Sequence, residues 1–280
     1  WLEQQVIRLT PGIQTRYKSL VKNLLAYFGQ KTVGEIQRQD SQKYFLLRQN
    51  GSIGKTKATN STIQLELGVL RTLLNFMVRK VEPRQRRIDA KLLPYIELPE
   101  PSLPRDRVIT KEEEEKYLDF AMNGNYNGVG VRPSNRVHRM QIFLVLAIET
   151  AARKSAILNL KWSMIDFTKG LINFLPDTEH QSHKRRPTIP MSDLLINFMK
   201  KVYEEKVNDY VLTKTTDVKS GLDRINKLLG IKGVIPHTFR HTWATRAAED
   251  GVSMKVIADF MGDTEKTVRQ QVDDVNADDF

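Results

Sequence analysis

Cysteine is absent from the 280 residues, which excludes disulfides, thiolate metal sites and thiol chemistry and leaves packing and polar contacts to hold the fold. No apolar run approaches the ~20 residues needed to cross a bilayer, and no secretory pattern stands at the front. A helical membrane protein is thereby excluded, and a soluble cytoplasmic one is expected. There is no internal repeat and no low-complexity tract, so a repeat architecture is excluded too. Any metal site would have to be built from carboxylates and the 5 histidines. Tyrosine is unevenly spread, and none follows Tyr210. The chain starts at Trp1 rather than methionine and stops at Phe280, so it is expected to be a fragment or processed form with further elements outside it.

What the chain has in excess is positive charge. The formal net charge is +11, a surplus for which a polyanion is the usual partner. Residues 1–103 carry 17 Lys and Arg against 8 Asp and Glu, whereas residues 249–280 carry 3 against 9. The two ends therefore face different surroundings. A generic solubilising surface is the alternative on composition alone, and the motifs decide between the two.

The length suits two domains, each able to bury a core. Apolar residues at helical spacing predict helices over 12–28, about 40–49 and 59–81, the last turning Ile63, Leu65, Leu70, Leu73, Leu74 and Phe76 inward. These form a small helical bundle. Three prolines in 98–107 predict an extended, semi-rigid connection, which puts the domain boundary near residue 103 and gives domains 1–103 and 104–280. Thr110 and Glu113 form a capping-box pattern for a helix through Met122, followed by a Gly/Asn-rich loop at 123–130. Further helices are expected at 139–150 and 154–162. The period then changes, and 170–176 and 186–191 read as two short strands joined by the polar excursion Asp177–Arg185. Helices resume at about 193–206, 217–229, 238–250, 253–261 and 264–274. The fold class is mainly α with a small β-sheet, a helical domain followed by a mixed α/β domain.

Separated segments carry groups suited to one phosphate. Arg153 follows an apolar helix and can present two parallel donors to non-bridging oxygens. In Pro236-His-Thr-Phe-Arg-His241, His237, Arg240 and His241 lie within one helical turn. His237 and His241 have the spacing of a zinc protease helix, but position 238 is Thr instead of Glu, so no metal site is expected. Residues 252–275 form a helix-turn-helix pattern with Gly262 in the turn and Lys266, Arg269 and Gln270 on the second helix. That offers a different reading, a DNA-binding regulator, against which stands the acidic neighbourhood. An RNA-binding or purely structural basic module has no motif in its favour.

Taken in order, Thr150-Ala-Ala-Arg153, the Lys-rich hairpin, His237-Thr-Phe-Arg240-His241 and Met261-Gly-Asp-Thr264 resemble the tyrosine recombinase, or phage integrase, family across 107–280. The basic helical bundle is similar to that family's core-binding (SAM-like) domain. The resemblance implies a clamp around duplex DNA and attack by a tyrosine on a phosphodiester, giving a 3′-phosphotyrosyl link and a free 5′-hydroxyl. No metal or nucleotide cofactor is implied, and a homo-oligomer on DNA is. By position, Arg153 and Arg240 would hold the non-bridging oxygens and His237 would assist proton transfer. Lys184 would protonate the leaving oxygen, with His183, Arg185 and Arg186 close by. Phosphate contacts from the bundle are expected at Lys55, Lys57, Asn60, Thr62, Arg71 and Arg79. Two departures stand out. Asp263 replaces the family's usual histidine and is expected to cap the next helix or hold an Arg in place, because a carboxylate cannot donate to a phosphate. Val272, ten residues after Gly262, stands where the nucleophilic tyrosine belongs.

Overall fold

The computed structural model describes residues 6–79, 89–102, 107–123, 139–175, 186–212 and 217–276. The chain divides into two compact units, Trp1–Pro104 and Arg105–Phe280, each with its own apolar core.

The first unit packs three helices, α1 (Pro11–Phe28), α2 (Arg38–Gln49) and α3 (Asn60–Arg79). Pro11 suits the first turn of α1, where its missing N–H costs nothing. Asp40 accepts from the Gln37 N–H and so caps α2. Leu20, Leu24 and Phe28 from α1 meet Tyr44 from α2 and Ile63, Leu67, Leu70 and Leu74 from α3. Leu65 is a correction to the expected inward stripe, because it falls on the outer side of α3 and is exposed. The predicted extension of α3 to Val81 lies outside the described residues.

The proline-rich stretch is extended in its first part, and it is also anchored. Residues 98–102 are extended but tied to α3 by Gln64 Nε2 donating to Pro99 O (3.1 Å) and by reciprocal bonds between Ser61 and Ser102. Ile96 is buried in the unit's core and Glu97 pairs with Arg38 at 3.0 Å. Up to residue 102 this segment is an anchored strap, because the Pro99 carbonyl and both the N–H and the hydroxyl of Ser102 find partners on α3.

The second unit surrounds α5 (Arg139–Thr150), whose residues Met140–Ala147 are all buried. A helix whose buried run is apolar at every position but Gln141 belongs in a core. Around it lie α4 (Lys111–Asn123), α6 (Lys154–Leu158), α7 (Asp193–Glu204), α8 (Lys219–Leu229), α9 (Pro236–Glu249), α10 (Met254–Met261) and α11 (Glu265–Asn276). The expected capping box of α4 is present, with Thr110 N–H donating to Glu113 and Glu113 N–H to Thr110 Oγ1. The helix expected over 154–162 stops at Leu158; Trp162–Met164 forms a separate 3₁₀ turn that leads into a strand.

That strand, β1 (Ile165–Asp166), was not anticipated. It pairs antiparallel with β2 (Leu171–Asn173), which pairs with β3 (Thr188–Pro190). Ile172 faces Ile189 across the ladder, and both are buried, which sets the register. Two residues are too few to show alternation, so β1 carries no sequence signal; it is created by the Asp166 turn, where Oδ1 accepts from Thr168 and Lys169 and Gly170 adopts φ +65°. The loop at 123–130, apart from Asn123, and the excursion Asp177–Arg185 lie outside the described residues. Among the described residues, no helix is long and apolar enough to cross a membrane.

Candidate functional site

Three chain segments meet around one carboxylate. The first is the end of α5. Thr150 Oγ1 donates to Leu146 O (2.5 Å) and accepts from Ala152 N–H, closing the helix. Ala151 then takes φ +49°, a left-handed conformation that an L-residue with a Cβ adopts at a cost of ~1–2 kcal/mol. The turn puts the Ala151 carbonyl toward α9 and lets Arg153 begin α6.

The second segment is the start of α9. Tyr117 OH donates to Asn226 Oδ1 and Asn226 Nδ2 to Val234 O, which fixes the chain just before Pro236. Thr238 Oγ1 accepts from Ile235 N–H and caps the helix. Farther along α9, Thr242 accepts from Ile109 N–H, and Arg246 donates to Ile109 O and pairs with Glu114. Both ends of α9 are therefore pinned before Arg240 is considered.

The third segment is the turn between α10 and α11. Gly262 ends α10 in the left-handed conformation, φ +66°, as a helix C-cap requires. Asp263 follows it. A parallel stack of Trp243 on Phe260, with centroids 4.3 Å apart, holds α10 against α9.

Asp263 bridges the two arginines. Arg153 Nη2 donates to Oδ1 and Arg240 Nη2 to Oδ2, both at 2.5 Å. Arg240 is only 1% exposed and also donates to Ala151 O (2.7 Å) and Met261 O (2.9 Å). Its Nε is buried with no partner among the described residues. Burial outweighs pairing here and lowers the Arg240 pKa, with the Arg153 charge adding to the effect. Arg153 also reaches Gly262 O at 3.1 Å and is partly open to solvent. Of the two roles expected for Asp263, holding arginines is the one seen in these bonds; the hydroxyl of Thr264 accepts from Thr267 N–H at the start of α11.

His237 stands edge-on to His241, with centroids 4.4 Å apart. Its ring reaches the surface, yet the crowding around it and the positive charges of His241, Arg240 and Arg153 push its pKa down to about 4. The imidazole is thus neutral near pH 7 and able to accept a proton.

Val272 lies on α11 with 5% exposure, in an apolar cluster with Ala151, Ala244, Ile257, Ala258, Met261 and Val268. Val272 is a packing residue of this cluster. Lys184, and with it His183 and Arg185, lies outside the described residues. Arg186 is described: it precedes β3 and lines a cavity with Arg153. Its place beside Arg153 had no sequence signal beyond its position in the run His183-Lys-Arg-Arg186.

On the first unit, Lys55, Lys57 and Arg71 are exposed, and their side chains make no hydrogen bond or ion pair among the described residues. Lys55 adopts φ +63° in a loop that Arg48 holds from beneath, by donating to Ile53 O (2.6 Å) and Thr56 O (3.3 Å). Asn60 and Thr62 are engaged locally, with Gln49 and Thr59 respectively. Arg79 is the last residue of α3, and its side chain is outside the described set. Among the described residues, no cluster of His, Asp and Glu could hold a metal ion.

A protein with a helical unit, a mixed α/β unit and an arginine pair drawn from distant segments defines a class that comparison with known proteins identifies. Residues 107–271 match the model of the phage integrase family, and the chain belongs to that family. A tyrosine recombinase XerC-like protein of Caldanaerobacter subterraneus subsp. tengcongensis is 26% identical, over 88% of this chain and 68% of that protein. A tyrosine recombinase of Thermosipho africanus is 24% identical, over 89% of this chain and 83% of that protein. Among solved structures, the Tn1549 transposon integrase in complex with transposon right end DNA shares the fold, with a TM-score of 0.71 at 15% identity over 99% of this chain and 96% of that one. A lambda integrase dimer bound to a core site matches with a TM-score of 0.69 at 16% identity over 98% of this chain and 76% of that one.

Proposed function

We propose that this chain is the DNA-binding core of a site-specific tyrosine recombinase that grips a backbone phosphate through Arg153 and Arg240 and forms no covalent link to it. The observation that carries the reading is the shared carboxylate: two arginines 87 positions apart, from the start of α6 and from α9, direct one Nη atom each to the same Asp263. A carboxylate and a phosphate offer the same pair of anionic oxygens, so a pocket built to hold one is shaped for the other. Neutral His237 beside the pair is suited to proton transfer, Lys184 to protonation of the leaving 5′ oxygen, and the basic helical unit to phosphates along the duplex through Lys55, Lys57 and Arg71, with Arg79, Asn60 and Thr62 alongside. In a strand-cleaving relative a tyrosine oxygen would bond to phosphorus as the 5′ oxygen leaves with a proton. Val272 offers no such oxygen, so both strands stay intact. Assembly of several copies on one DNA, and a cytoplasmic location, complete the reading.

The test enriches duplexes bound by the chain from a randomised pool, then follows binding and protein-linked DNA on denaturing gels. Binding without adduct is expected, with Arg153→Ala weakening it at least tenfold, about 1.4 kcal/mol. A DNA-linked protein band from the unaltered chain would falsify the non-cleaving reading. Binding indifferent to Arg153→Ala would favour the helix-turn-helix alternative, with α10 and α11 reading a groove through Lys266, Arg269 and Gln270, which are exposed on α11. Val272→Tyr is expected to yield the adduct, at a cost of ~1–3 kcal/mol in stability because a phenol overfills the cluster around position 272.

A further inference from the structure

The arginine pair does not account for every cation at the site. Arg186 is half-buried beside a cavity whose walls include Arg153, Thr150, Phe174, Pro187 and Met261. Its position is set by rigid structure. Pro187 restricts Arg186 to extended backbone, Phe174 N–H donates to Pro187 O at 3.2 Å, and the buried Ile172–Ile189 pair locks β3 one step farther on. Among the described residues, Arg186 makes no hydrogen bond and no ion pair. The oxygens of Asp263 are directed to Arg153 and Arg240, and neither bonds Arg186.

Two guanidinium groups lining one cavity repel each other, and loss of water strengthens the repulsion. Desolvation and the charge of Arg153 both lower the Arg186 pKa, in line with that geometry. An arrangement that is unfavourable when empty and becomes favourable with an anion present is that of a binding site. A lysine would present a single point charge, whereas the Arg186 fork can hold two oxygens side by side.

We propose that Arg186 is a third phosphate-binding cation, which together with Arg153 holds an oxygen of the DNA backbone. This rests on the function proposed above. It makes the end of the hairpin a binding element in its own right, whatever Lys184 does. It also explains why a half-buried guanidinium stands at this position without a carboxylate among the described residues: a counter-ion from the protein would compete with the phosphate.

The test uses the full chain, with fluorescence anisotropy of a labelled pool of short randomised duplexes over a salt series, on Arg186→Gln, Arg186→Lys and Arg153→Ala. For Arg186→Gln the expected result is about three- to tenfold weaker binding at low salt and a log–log salt slope shallower by about one, the signature of one lost phosphate contact. Its thermal unfolding midpoint is expected to stay the same or rise, because a cation with no ion pair among the described residues has been removed. Arg186→Lys is expected to restore the slope but only part of the affinity. A merely structural Arg186 would instead lower the unfolding midpoint and leave the slope alone, and that result overturns the proposal. If Arg153→Ala weakens binding while Arg186→Gln changes nothing, the Arg186 proposal alone falls. If neither variant affects binding, both it and the DNA reading fall.

Discussion

Each unit of the molecule buries an arginine against a carboxylate, and the two pairs are built for different ends. In the first unit Glu66 accepts from Arg48 Nε and Nη2, Tyr44 OH and Asn23 Nδ2, all within 2.8–2.9 Å. Arg48 uses its remaining nitrogen on Ile53 O and Thr56 O. Every strong donor and acceptor is met, and the pairing raises the Arg48 pKa. In the second unit the corresponding carboxylate is shared between two arginines, Arg240 Nε has no partner among the described residues, and burial lowers the Arg240 pKa. Asp263 and Arg153 keep 17% and 19% of their side-chain surface open. A closed network stiffens a bundle, whereas an open one with surplus positive charge keeps capacity for an incoming anion. Under the proposed function, the same residue types act as a structural brace in one unit and as a receptor in the other.

The largest effect that would break this comparison lies at the closed pair. Glu66→Ala leaves a buried guanidinium without a counter-ion and is expected to destabilise the first unit by about 3–5 kcal/mol, read by urea unfolding. It is also expected to release the loop that carries Lys55 and Lys57. A loss below about 1 kcal/mol would show that water satisfies Arg48 and that the brace is not one.

Asp263→Asn sharpens the contrast, because its two consequences have opposite signs. Stability is expected to fall by about 2 kcal/mol as Arg240 loses its ion pair, while affinity for duplex DNA is expected to rise about tenfold as the competing negative charge disappears. If stability and affinity fall together, Asp263 supports the bound state and does not compete with phosphate.

The smallest effect concerns His237, and it is a matter of protonation. Its pKa in the folded chain is about 4, below the ordinary histidine value of 6.5. Because the unfolded chain takes up the proton first, the stability contribution is complete above pH 6.5 and is lost as pH falls toward 4. NMR titration of the imidazole is expected to show a midpoint near 4, and the acid slope of unfolding is expected to shrink in His237→Gln. A midpoint near 6.5 would mean that the positive charges around His237 are screened by solvent.

Much of this arrangement is legible in the residues alone, and the reasons for the gaps are physical. Helices with a marked period or a full apolar run, such as 11–28 and 139–150, announce themselves, because burial of one face or of all faces imposes the spacing. Leu65 misleads because an apolar side chain on a surface is tolerated without penalty. The strand at 165–166 is too short to have a pattern. At the site, Arg153, His237 and Arg240 can be picked out because their types suit a phosphate, and Asp263 because it departs from the family's usual histidine; the fold brings Arg153, Arg240 and Asp263 into contact. The left-handed turn at Ala151 and the cavity under Arg186 have no signature, since the first depends on how α5 ends against α9 and the second on strand register.

The most direct measurement is a crystal structure of the chain with a duplex enriched from the randomised pool. The expected result is one backbone phosphate within hydrogen-bond distance of Nη atoms of both Arg153 and Arg240, on an uncut strand beside Val272. Duplex DNA bound elsewhere on the protein, with both arginines still closed on Asp263 and no phosphate within reach, would contradict the assignment of this pocket.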